Sequence, residues 1–266
     1  MLFRSLDNLQ PGQRLVLAPG NYRVGRVLAV RREQVTVSGY DATLVASDPD
    51  QQAIQMTGAY STLVGLTLKG TGTQRLESAT SAKVIVDGTG IQVLDVTIEG
   101  GASAGIFVSR GIGIALVGDR ISGTLADGIH ITGGSQDVLV QNSSVTATGD
   151  DMVGIVSYQR DSGQTRNIYV TSNYLAGNAW GRGVAVVGGA DVTVAGNWIE
   201  GVQKEAFAEA KTEFPVQDRL MCSAAFLLEV MRQGEMPGGV TPLEVGPASL
   251  KGIQEQVRIY WLKTLA

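Results

Sequence analysis

Four residues carry the chemistry that this sequence offers: Asp127, Asp150, Asp151 and Arg182. Asp127 stands two places ahead of the apolar pair Ile129 and Ile131, Asp151 two ahead of Val153 and Ile155, and Arg182 two ahead of Val184 and Val186. If these pairs face inward on successive strands of a coil, intervals of 24 and 31 residues stack the three polar residues in one column. Ala104, two ahead of Ile106 and Val108, takes the same column one coil earlier. Stacked parallel strands lie about 4.8 Å apart, so carboxylates at that spacing repel unless a proton, a cation or an arginine offsets them. The plain structural alternative is a surface ladder in which aspartates cap turns through side chain to backbone bonds. Asp150 favours chemistry, because a turn-capping Asp151 needs no acidic neighbour.

The elements that must hold this column follow from a repeat. An apolar residue, any residue and a second apolar residue are followed five places later by a closing apolar residue, as in Ile91, Val93 and Ile98. The closing positions are Leu68, Ile98, Ile121, Val145, Leu175 and Ile199, at intervals of 30, 23, 24, 30 and 24 residues. Propeller blades need about 40 residues, so these intervals predict coils of a parallel β-helix carrying loops of unequal length. Each coil is too small to bury its own apolar face, and stacking closes a continuous core. Two places before four of the closing residues stand Asp119, Ser143, Asn173 and Asn197, which are expected to form an internal polar ladder satisfying turn backbone.

Composition agrees with an all-β chain of short strands: 266 residues with 35 glycines, 7 prolines and 17% charged residues. A net charge of −4 gives no basic footprint for nucleic acid. No apolar run reaches the length of a membrane span, so no membrane partner is expected. The one cysteine, Cys222, excludes a disulfide within the chain. Met1-Leu-Phe-Arg-Ser lacks the apolar core of a signal peptide, while the stretch from Leu9 reads as the interior of a longer secreted protein, and an extracellular location is expected.

Two long excursions, 70–82 and 159–166, leave the coils, and such loops wall binding faces. The second carries Arg160, Asp161 and Arg166 directly after Tyr158. Tyr158 and Trp180 offer flat faces for sugar rings, and His130, the only histidine, points outward between Ile129 and Ile131 as a substrate contact. After residue 201 the repeat stops. Residues 204–211, 216–233 and 249–265 carry apolar residues at helical spacing. The expected organisation is therefore a right-handed parallel β-helix over 1–201, with the hand from the rule for parallel crossovers, and a helical segment over 202–266, serving as a cap or a non-native tail.

Ala126-Asp127-Gly128-Ile129, Gly149-Asp150-Asp151-Met152 and Gly181-Arg182-Gly183-Val184 resemble three of the four active-site motifs of polygalacturonase-type glycoside hydrolases, in the pectin lyase-like superfamily. That resemblance implies Asp150 as general acid, Asp127 and Asp151 as the groups that activate water, and an acidic polysaccharide as substrate. It implies no metal or other cofactor. Inverting hydrolysis asks for carboxyl groups about 6.5–9.5 Å apart. The sequence departs from the family at Ala126, where a Thr is usual, at Arg182, where a His is usual, and in lacking the Arg-Ile-Lys coil. The related β-helix lyases imply a second chemistry, elimination or epimerisation, with calcium on Asp127, Asp150 and Asp151 and Arg182 as base. A glycan-binding or surface spacer protein without turnover is the third reading.

Overall fold

Side chains that alternate in and out along short strands can only be buried if the strands close on one another, and here they close into a three-sided coil. The computed structural model describes residues 2–48, 54–70, 72–177, 180–203, 207–210, 221–223, 240–248 and 257–264, with side-chain surroundings from 5 to 203. Among them, three sheets run along the stack, two with eight parallel strands each and one with eleven, whose last two strands join by antiparallel pairing.

The register is the one the repeat predicts. Leu68, Ile98, Ile121, Val145, Leu175 and Ile199 pair rung to rung along the second sheet. All six are buried to within 1% of full exclusion, each such side chain contributing about 1.5–3 kcal/mol of burial. On the first sheet Leu63, Val93, Leu116, Val140, Val170 and Val194 form an equivalent inward row. On the third sheet Ile106 pairs with Ile129, Ile129 with Val153 and Val153 with Val184. The polar ladder forms inside the turn between the first and second sheets. Val96 N–H donates to Asp119 Oδ1 at 2.9 Å, Asp119 N–H to Ser143 Oγ at 3.1 Å, and Ser143 N–H to Asn173 Oδ1 and Asn173 N–H to Asn197 Oδ1 at 2.9 Å each.

At the N-terminal end a short helix, Leu2–Asp7, not anticipated from the sequence, lies against the strand Leu28–Val30. Leu6 is buried in the core there, so the helix covers the first coil. No helix among the described residues is long and apolar enough to cross a membrane.

The C-terminal expectation of helix is corrected wherever the backbone is described. Phe207–Ala210 is a strand that continues the third sheet beside Val184–Val187. Met221–Ser223 continues the first sheet, and Val257–Thr264 and Val240–Ala248 then add two antiparallel strands. An open sheet edge offers a row of unpaired backbone groups, and pairing with it outweighs the weak preference that helical spacing expresses. The Val257-Arg-Ile-Tyr-Trp run is also rich in β-branched and aromatic residues, which suit a pleated surface. The remainder of the three expected helices lies outside the described residues.

Candidate functional site

The column inferred from spacing is present. Because Ile129, Val153 and Val184 share one rung position, Asp127, Asp151 and Arg182 fall in line two residues earlier. Backbone bonds run up the same line, from Gly128 N–H to Asp151 O at 2.9 Å and from Met152 N–H to Arg182 O at 2.8 Å. The aspartates add a second ladder: Asp151 N–H donates to Asp127 Oδ1 at 3.1 Å, and Arg182 N–H to Asp151 Oδ1 at 3.0 Å. The turn-capping role and the clustering of charge thus coexist in the same side chains.

Glycine allows the corners to sit this close. A Cβ at Gly149 would lie 2.3 Å from the Leu125 carbonyl oxygen, and one at Gly181 would lie 2.2 Å from the Asp150 carbonyl carbon. Thr124 and Thr148 brace two successive corners, each donating its hydroxyl to the carbonyl two residues on, Ala126 O at 3.0 Å and Asp150 O at 2.7 Å.

Oxygens of Asp127, Asp150 and Asp151 all lie within 4.8 Å of one another. Each carboxyl has a basic partner of its own. His130 Nδ1 is 2.5 Å from Asp127 Oδ2, Arg75 Nη2 is 2.8 Å from Asp150 Oδ2, and Arg182 Nη1 is 3.2 Å from Asp151 Oδ1. Asp151 holds its proton more tightly than an ordinary aspartate. Burial, reinforced by the charge of Asp127, pushes it up to about 6 against the opposing pull of Arg182.

Arg75 was not singled out by the sequence reading, although its loop was. Among residues 70–82 only Arg75 and Glu77 are charged, and that pair was the available signal. The loop is anchored by Leu76 N–H to Ala102 O at 2.7 Å, and Arg75 also reaches Glu77 at 3.3 Å. Phe107 was missed too; it pairs with His130 in register, and the two rings stack with centroids 5.2 Å apart and planes within 6°. His130 is therefore held between Phe107 and Asp127 on the outer face of the third sheet.

Tyr158 stands at the mouth of the second loop. Arg160 lies over its ring at 4.7 Å, and Asp161 accepts its backbone N–H at 2.8 Å. Burial raises its phenol, with the charge of Asp127 adding to the effect. Trp180 is exposed at the corner two residues before Arg182. The structure thus brings together Asp127, Asp150, Asp151, Arg182 and His130, while Tyr158 and Trp180 stand exposed on the second loop and on the corner before Arg182.

The donor set would suit calcium in being three hard oxygen ligands. Yet each carboxyl already faces a guanidinium or an imidazole, which a dication would have to displace.

A family model described as a right handed beta helix region matches residues 52–214, more than half of the chain. The chain belongs to this right-handed β-helix family. No curated protein sequence matches it. Among solved structures the β-helix is similar to the catalytic domain of a GH87 alpha-1,3-glucanase, an aspartate-to-alanine variant in complex with tetrasaccharides. Identity is 15%, with 92% of this chain and 44% of that one covered at a TM-score of 0.65. It is also similar to the catalytic unit of a thermostable GH87 alpha-1,3-glucanase from Streptomyces thermodiastaticus strain HF3-3, at 22% identity, 78% and 37% coverage and a TM-score of 0.63. Pectate lyase Pel9A matches at 14% identity, 81% and 72% coverage and a TM-score of 0.51. At these identities the likeness is one of fold, and this β-helix spans less than half the length of the glucanase domains it matches.

Proposed function

We propose that this β-helix is a carbohydrate-active protein that hydrolyses glycosidic bonds of a polysaccharide, with Asp151 as general acid and Asp127 and Asp150 activating the water. One observation carries this reading: a buried carboxyl raised to about 6 sits within 4.8 Å of two carboxyls that have their own basic partners. A carboxyl whose surroundings hold its proton to near-neutral pH is suited to act as a general acid. The family resemblance gives the acid role to Asp150. The ion pair of Asp150 with Arg75, against the burial of Asp151, favours the reverse assignment.

The substrate follows from the same pairs. Arg75 and Arg182 each engage an aspartate, so neither is set aside for a uronate carboxylate. This favours a neutral chain, in line with the alpha-1,3-glucan named for two structural neighbours, over the acidic polysaccharide implied by the sequence resemblance. Elimination is the second reading, supported by three hard oxygens beside Arg182; it would use calcium held on the aspartates, but an ordinary arginine stays protonated and makes a poor base.

The test is release of reducing ends and of unsaturated product from alpha-1,3-glucan and from polygalacturonate, with calcium and with chelator. New reducing ends from the glucan, without unsaturation and indifferent to chelator, are expected. Calcium-dependent unsaturation would transfer the assignment to a lyase, and silence in every arm would leave a glycan-binding or spacer protein. The anomeric configuration of the first product then separates attack by water from attack by a carboxylate.

A further inference from the structure

The outer face of the second sheet carries a feature that the acidic cluster does not use. Rung by rung, one outward column there reads Thr43, Thr67, Thr97, Arg120, Ser144, Tyr174 and Trp198. Five polar rungs give way to two adjacent aromatic ones, 43% and 52% exposed. Their inward neighbours Leu175 and Ile199 already fill the core, so packing does not call for large rings outside.

The next outward column reads Glu99, Ser122, Thr146, Ala176 and Glu200. Its small residues leave a shallow, open cleft of about 470 Å³ lined by Thr146, Ala147, Tyr174, Ala176, Glu200 and the glycines 177 and 201, with Trp198 one rung beyond Tyr174. A Cβ at Gly177 would meet nothing within 4 Å, and this end of the cleft is open. Tyr174 Oη donates to Glu200 Oε1 at 2.6 Å across the cleft, which fixes the phenol and sets a carboxylate at the rim.

We propose that this cleft is a second glycan-binding site, which takes a segment of a pyranose polysaccharide with its apolar ring faces on Tyr174 and Trp198 and its hydroxyls toward Glu200. Neighbouring rungs are about 4.8 Å apart, so Tyr174 and Trp198 project side by side from adjacent strands as two exposed rings edged with polar groups. That combination matches a sugar, which has an apolar face and a polar rim, better than it matches a protein core. The cleft adjoins the catalytic corner along the chain, since Asp150 follows Thr146 by four residues. The inference rests on the proposed function only for the class of ligand.

The Asp151→Asn chain, expected to bind without turnover, is titrated calorimetrically with alpha-1,3-linked gluco-oligosaccharides and with oligogalacturonates, and its retention on insoluble alpha-1,3-glucan is measured. Trp198→Ala and Tyr174→Ala, each added to that background, are expected to weaken retention about tenfold, with Trp198→Phe restoring most of it. Tyr169→Ala, an equally exposed aromatic on the first sheet, is expected to change nothing. Retention indifferent to both cleft substitutions, in variants with unchanged circular dichroism, overturns the inference, as does an equal loss in Tyr169→Ala. A shift in sedimentation coefficient in place of a loss of glycan binding also overturns it, and identifies the face as a contact between copies. Turnover by the native chain together with retention indifferent to Trp198→Ala sinks this inference alone; neither turnover nor binding to any glycan sinks the proposed function with it.

Discussion

Two stacks of polar side chains climb this β-helix, one inside the turn after the first sheet and one at the corner before the third. Both solve the same backbone problem. In the inner stack a side chain accepts the N–H of the coil before it, as Asn173 does from Ser143; in the outer stack Asp127 accepts from the coil after it. The difference lies in what remains once that bond is made. Asn173 and Asn197 have amide N–H groups left over, and these find the carbonyls of Val140 at 3.0 Å and Val170 at 2.8 Å. Asp127 and Asp151 have charge left over, and it meets a histidine, an arginine and one another. A neutral leftover stiffens a turn; a charged one supplies a reaction.

The comparison is broken most severely at Asp151. Asp151→Asn keeps the acceptor for Arg182 N–H but abolishes the exchangeable proton, and reducing-end release is expected to fall about 10³-fold with little change in melting temperature. In the native chain the same proton sets the pH profile: activity falls as pH rises through about 6, where Asp151 ionises. The inner stack should respond in stability instead. Asn173→Ala removes a fully enclosed bonding group and is expected to cost about 2–4 kcal/mol in a urea titration, without shifting the pH profile.

Asp119 sharpens the contrast, because it is a carboxyl in the neutral stack. It is fully buried, burial pushes it up to about 8, and its Oδ2 has no hydrogen-bond partner. A folded-state value above the ordinary 3.8 means that the native state binds the proton more tightly. Stability therefore declines as pH rises from about 4 toward 8 and then levels. Asp119→Asn gains an amide which, by the symmetry that sets Asn173 against Val140, faces the Val93 carbonyl. It is expected to stabilise the protein at pH 8 by on the order of 3 kcal/mol, and not at all below pH 4, as thermal melts at the two pH values will tell. The smallest effect is expected at Arg75→Ala. Stability should change by less than about 1 kcal/mol, as for exposed ion pairs, while the falling limb of the activity profile moves to higher pH, because a more negative cluster holds the Asp151 proton longer.

The β-helix, its register from Leu68 to Ile199 and the column of Asp127, Asp151 and Arg182 were legible in the sequence for one reason. In stacked coils, inward residues recur at fixed places relative to each rung, so lateral position can be counted along the chain. Loops follow no such count. Arg75 reaches Asp150 from a coil several rungs away, and nothing in its spacing says so. The protonation of Asp151 depends on burial, which motif spacing does not encode. At the C-terminus, apolar residues at helical intervals also fit strands, and the open edges of the first and third sheets decided between them.

The glycine corners have an evolutionary consequence. Gly149 and Gly181 set backbone against backbone, so neighbouring coils index one another without relying on side-chain shape. Each coil from 106 to 187 contributes one residue to the column: Ala104, Asp127, Asp151 or Arg182. Duplication or loss of a single coil would lengthen or shorten the column by one residue while leaving its neighbours in phase. The lineage can thus revise its chemistry in whole steps, as a keyboard gains a key without retuning the others.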